Sequence, residues 1–172
     1  MKQLLLLVFL FAGVAGRSQS PDLPAWFSET FAKKGLDAKY TVQAYLQPSF
    51  LQADFNGDGK EDIAVLVVEK EKKKKGILLV HGNTHESFLF GAGKNLNKGG
   101  LTFKSADQWG LYTEKTARAI QRDPENGHFT GHREVALNTP ALFIHDHKGA
   151  AASEGWLIHW NGKRYTWIHH GH

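Results

Sequence analysis

Asp54-Phe55-Asn56-Gly57-Asp58-Gly59-Lys60-Glu61-Asp62-Ile63-Ala64-Val65-Leu66-Val67-Val68 sets an oxygen-rich nonamer directly ahead of an apolar run. Ile63 to Val68 holds five β-formers around one alanine. A run without polar alternation is what a strand buried on both faces requires. The nonamer before it is crowded with Asp, Asn and Gly, the residues that turn a chain sharply. The stretch therefore predicts a tight turn opening into the central strand of a sheet.

Working outward, the period of two persists. Tyr40, Val42 and Ala44 share one face of an expected strand, and Ser49 to Phe55 follows as a second. Beyond the central strand, Ile77 to Val80 and Ser87 to Phe90 are two more, joined by short turn-rich connections that favour an antiparallel meander. Ahead of them, Trp26, Phe27, Thr30 and Phe31 recur at helical spacing within Ala25 to Lys34, which stops at Gly35. That predicts one amphipathic helix.

The second half is less regular. Gly91 to Gly100 reads as a loop, Thr113 to Arg122 as a short helix stopped by Asp123-Pro124, and Pro124 to Gly131 as a further loop. Ala141 to His145, Gly155 to Trp160 and Arg164 to His169 read as strands, the last two joined by Asn161-Gly162 in a hairpin. The fold class expected is α+β and mostly β: an N-terminal helix with an antiparallel sheet of meanders and hairpins.

A chain of 172 residues suits one domain. Met1 to Ser20 has the form of a secretory signal, with Lys2, an unbroken apolar run from Leu4 to Ala12, then small residues. The run is far short of the ~20 residues of a membrane span. Residues 21–172 are then one exported domain, periplasmic or extracellular, with no membrane anchor after signal removal. The absence of cysteine excludes a disulfide scaffold, a thiolate metal site, a cysteine nucleophile and an acylated cysteine.

Loss of Lys2 and Arg17 with the signal lowers the net charge from +4 to +2. The densest basic cluster, Lys72 to Lys75, sits between two apolar runs beside Glu69 and Glu71. It reads as a solvated hairpin tip whose lysines discourage strand pairing at the sheet edge. No aromatic-interleaved basic stripe is present, so a nucleic-acid partner is not expected. The expected partner is an unidentified protein or glycan.

Chemistry concentrates in the nonamer. Counting Asp54 as position 1, oxygen side chains stand at positions 1, 3, 5 and 9 (Asp54, Asn56, Asp58, Asp62), with Gly59 at position 6. A Ca²⁺ ion takes six to eight oxygens at about 2.3–2.6 Å, and a glycine permits the turn that gathers them. Lys60, at position 7, offers its backbone carbonyl. An EF-hand is excluded, because its bidentate Glu at position 12 is here Val65, inside an apolar strand. Asp54, Asp58, Glu61 and Asp62 within nine residues repel one another without a cation.

From Asp54 to Val68 the sequence resembles the FG-GAP/VCBS-type repeats of integrin-like β-propellers, whose loops read D-x-[DN]-x-D-G-x-x-D before a strand. The resemblance implies that Asp54, Asn56, Asp58 and Asp62 are Ca²⁺ ligands. A single copy is present, whereas a propeller needs several blades, so the propeller itself is not implied. The chain also resembles small secreted proteins of no assigned activity that share one such loop and a C-terminal aromatic hairpin.

Other constellations are weaker. His81-Gly82 follows Ile77-Leu78-Leu79-Val80 as in the oxyanion strand of α/β-hydrolases, but no Gly-x-Ser-x-Gly exists. His85-Glu86 lacks the second zincin histidine, since Leu89 stands in its place. His145 and His147 are two apart, at a spacing that suits Zn²⁺ or Cu²⁺, but solvated strand ends are the expected reading. Trp156, Ile158 and Trp160 share a face, as do Tyr165, Trp167 and His169, and core packing is expected of them over a sugar platform. No catalytic residue is expected. The alternative to a calcium-binding domain with a binding or structural role is a small secreted hydrolase or carbohydrate-binding module using the C-terminal Trp/His hairpin.

Overall fold

The computed structural model describes residues 22–94, 103–146 and 155–171; the expected signal segment, His147 and His172 lie outside them. Among the described residues the chain is mostly β, with two antiparallel sheets and two short helices. No helix there is long and apolar enough to cross a membrane.

The central strand is β3 (Asp62–Glu69), flanked by β1 (Tyr40–Val42) and β2 (Phe50–Ala53), which pair in tandem along one of its edges. Its other edge pairs with β4 (Lys75–Val80), which pairs in turn with β5 (Ser87–Gly91). The meander expected from the sequence is therefore present. Asp62 through Val67 are all buried, because both faces of β3 are covered. Ile63, Val65 and Val67 meet helix α1 (Ala25–Lys33) through Phe27, with Trp26 and Phe31 beside it. Ala64 and Leu66 point the opposite way, into the second sheet. A second helix, α2 (Leu36–Lys39), follows Gly35 and was not foreseen.

The second sheet runs β6-β9-β10-β11-β7-β8, with β6 (Ala106–Tyr112), β7 (Thr116–Arg122), β8 (Phe129–Ala136), β9 (Ala141–Asp146), β10 (Gly155–Trp160) and β11 (Tyr165–His170). Leu142, Ile144 and Ile158 from this sheet close on Leu66, Ile77 and Leu79 from the first. The result is three layers: helix, sheet and sheet. Half-buried Trp156, Tyr165 and Trp167 pack against this inter-sheet core, so the aromatic hairpin faces inward.

Three expectations for the second half are corrected. Thr116–Arg122 is strand β7, not helix. Alanine, arginine and glutamine suggest a helix by propensity, but Ala117 and Ala119 are buried while Arg118 is exposed, a period of two that a small core on this sheet enforces. The loop after Pro124 ends earlier than expected, at strand β8, which pairs with β7 along its length. Strand β6 was not foreseen. The C-terminal hairpin forms, but its loop spans Asn161 to Arg164, where Asn161 Oδ1 accepts N–H bonds from Lys163 and Arg164 at 3.0 Å each.

Core position and surface position should separate cleanly. Leu66→Ala is expected to lower unfolding free energy by about 2–5 kcal/mol in urea melts. Leu111→Ala, at a residue 41% exposed on β6, should stay within about 0.5 kcal/mol.

Candidate metal centre

The nonamer folds around the side chain of its first residue. Asp54 Oδ1 accepts the backbone N–H of Gly57 (2.7 Å) and Asp58 (3.1 Å), and its Oδ2 accepts that of Gly59 (2.8 Å). Asn56 Oδ1 takes the Asp58 N–H at 2.9 Å, and Asp58 Oδ1 takes the Lys60 N–H at 2.9 Å. Asn56 Nδ2 donates to Asp58 Oδ2 at 3.1 Å. Local Asx bonding of this kind lets the backbone turn where ladder bonds are impossible. Gly57 and Gly59 sit at φ of +80° and +81°, a region in which a side chain is strained.

Asp62 behaves differently. Its side chain is fully buried; Oδ2 accepts the Phe55 N–H and Oδ1 the Gly82 N–H, both at 2.9 Å. It therefore ties the start of the loop to the end of β4. The ladder explains the partner: Ile63 faces Val80, so one step outward Asp62 comes opposite His81 and Glu61 opposite Gly82. A Cβ on residue 82 would stand 2.1 Å from the Glu61 carbonyl oxygen, so only glycine admits this approach. The loop is also held from the second sheet, since Thr139 Oγ1 donates to the Phe55 carbonyl at 3.0 Å.

Beside the loop lies a polar pair that the sequence reading set aside. His81 is buried, with Nε2 2.7 Å from the Tyr165 hydroxyl, and Phe88 and Trp160 pack around both rings. This pair joins the residue just after β4 of one sheet to the start of β11 of the other. The signal available in the sequence was register: a histidine directly across the hairpin from a buried aspartate.

Electrostatically the carboxylates share one neighbourhood. Burial pushes the Tyr165 phenol far up, and the negative charges of Asp62, Asp54 and Asp58 push it further. Burial also raises Asp62, helped by the charge on Asp58, while the N–H bonds from Gly82 and Phe55 and the nearby His81 oppose the rise. Asp58 is lowered, first by the Lys60 N–H and then by Asn56. Among the described residues no lysine or arginine forms an ion pair with any of these three carboxylates.

The donor set fits a hard cation by its chemistry. Every side-chain ligand expected at this loop is oxygen, and Asp54 Oδ2, Asn56 Oδ1 and both Asp62 oxygens each accept one bond, leaving a lone pair apiece. Asp58 is bonded by the Lys60 N–H, Asn56 and Asn83. Lys60 stands exposed, its N–H engaged by Asp58. Among the described residues no three His, Asp or Glu side chains already stand in a metal-holding cluster. In the arrangement described, the oxygens are turned onto the loop's own amides.

His145 departs from the expected solvated strand end. It is buried, and its Nδ1 lies 2.8 Å from Asp107 Oδ1 on the adjacent strand β6. No protein-family model, curated protein or solved structure matches the chain.

Two outcomes follow for the clamp. Tyr165→Phe should cost about 1–3 kcal/mol in denaturant melts, because it strands a buried imidazole nitrogen. For Asp62 the raised folded-state pKa means the native state holds its proton more tightly than the unfolded chain. The stabilisation from that proton is complete below the unfolded value near 3.8 and is lost as pH rises through the folded value. Measured against Asp62→Asn, the wild-type advantage should therefore be greatest at acid pH and shrink toward neutrality.

Proposed function

We propose that the 54–62 loop binds Ca²⁺ in the manner of the FG-GAP/VCBS-type loops it resembles, and that the protein is an exported domain with a binding or structural role. Asp54, Asn56, Asp58 and Asp62 supply side-chain oxygens, and Lys60 supplies its carbonyl. The observation that carries this reading is the gathering of the Asp54, Asn56, Asp58 and Asp62 side-chain oxygens on one short loop, bonded to its backbone. Among the described residues no lysine or arginine is paired to the carboxylates. A divalent cation offsets the repulsion among them.

Its effect is mechanical. The loop's second residue, Phe55, and its last, Asp62, are both buried, so ordering it fixes the entry to β3 and the register of the β2–β3 and β3–β4 pairs. Ion binding to the folded state alone stabilises by mass action, about 1–2 kcal/mol at tenfold saturation. Weak affinity suffices outside the cell, where such modules work at Kd values of about 10⁻⁴–10⁻³ M.

Calorimetric titration of the purified protein with Ca²⁺ should give saturable heat, with a rise in melting temperature. Asp54→Asn/Asp58→Asn, which keeps an acceptor oxygen for the loop amides but removes both charges, should abolish both while leaving far-UV circular dichroism unchanged. Absence of heat and of any thermal shift in the wild type would refute the reading.

A further inference from the structure

We propose that the turn between β3 and β4 is a cationic docking surface for an anionic phospholipid bilayer. Lys70, Lys72, Lys73 and Lys74 all lie exposed in this turn. Exposed Lys39 joins them, since the Lys70 N–H bonds to its carbonyl at 2.9 Å. Exposed Lys94 approaches from the other side, through the turn that follows the Ala92–Lys75 backbone bond. Six lysines from three segments therefore gather at one end of the molecule.

The turn is ordered from within. Glu69 accepts the backbone N–H of Glu71 at 2.9 Å and of Lys72 at 2.6 Å, and its own N–H bonds to the Lys74 carbonyl at 2.8 Å. Glu69 stays ionised, and Glu71 and Asp37 are exposed beside it. The Lys70 ammonium donates to the Asp37 carbonyl at 2.6 Å. Six lysines thus face three acids, and the end carries a net positive charge. Lys73 sits at φ +54°, a left-handed conformation that glycine adopts without strain. A lysine held where a glycine is easier breaks a local rule with no packing gain, because its side chain is exposed.

Partner chemistry follows from the residue type and the shape. The cluster is all lysine, with point charges rather than the planar forks that grip one phosphate in two places. It projects from a hairpin tip with no exposed aromatic ring on which a base or sugar could stack, so it senses charge density. A convex tip of this kind suits a flat array of anionic headgroups, where each lysine adds roughly fivefold to partitioning. The acidic loop lies at the far end of β3, eight residues away and hence about 25 Å from such a surface. That is beyond the ~8 Å screening length at physiological salt. This assignment is independent of the calcium reading.

The test is sedimentation of the full chain with vesicles of about 30 mol % phosphatidylglycerol in phosphatidylcholine, against phosphatidylcholine alone, in about 50 and 500 mM salt. Binding should require phosphatidylglycerol and low salt. Lys72→Glu/Lys73→Glu should weaken it by more than about tenfold. Arg122→Glu/Arg133→Glu, which changes net charge equally on the second sheet, should weaken it far less. Lys73→Gly should weaken it several-fold with melting temperature unchanged or raised. No binding to anionic vesicles, equal loss in the two double variants, or binding to soluble polyphosphate without vesicle binding would each overturn the proposal.

Discussion

Removing a carboxylate from water is tolerable only if both its oxygens are bonded, and Asp62 meets that condition with two backbone amides from different parts of the chain. Phe55 lies at the start of the loop and Gly82 just after β4, so one side chain closes the end of the first sheet. The same side chain heads β3, the strand on which helix α1 and the second sheet both pack. Its position fixes several others. Gly82 must lack a side chain, His81 is brought inward opposite it, and Tyr165 of the second sheet reaches that imidazole. The clamp thus couples the loop, both sheets and the inter-sheet aromatic cluster.

The clamp has an electrostatic cost. Bonds from two amides favour the ionised carboxylate, but burial opposes it more, and Asp58 adds like charge. The loop leaves Asp54 and Asp58 beside it because their oxygens satisfy the amides of residues 57 to 60, which no strand partner serves. Turn geometry and charge crowding therefore have one origin. The proposed cation would act on the second, the charge crowding.

How much of this was legible depended on whether a residue's role is local. The helix at Trp26 to Phe31, the doubly covered Ile63–Val67 and the first-sheet meander follow from spacing, because burial on a fixed face prints a period into the sequence. Strand β7 did not, because Ala117 and Ala119 favour a helix by propensity. Only pairing with β8 and β11 decides their state. Strands β6 and β8 lie at the edges of the second sheet. Strand β8 is polar and has no buried residue, and the register shift in β6 between Ala106 and Gln108 breaks the alternation that its buried Ala106 and Trp109 would print. At the candidate site the loop ligands were readable as a motif. The His81–Tyr165 pair, 84 residues apart, was not, because side chains from two sheets meet only once the sheets are stacked.

Strand β3 also separates charge. Its first residue belongs to the acidic loop and its last, Glu69, organises the lysine turn. The strand is held extended by pairing on both edges and packing on both faces. Opposite charges at its two ends therefore cannot collapse onto one another, however strongly they attract. Each end keeps its own field, and whatever binds one end meets a surface with an excess of one sign. A near-neutral chain can in this way present two strongly charged ends, which a net charge of +4 for the whole sequence conceals.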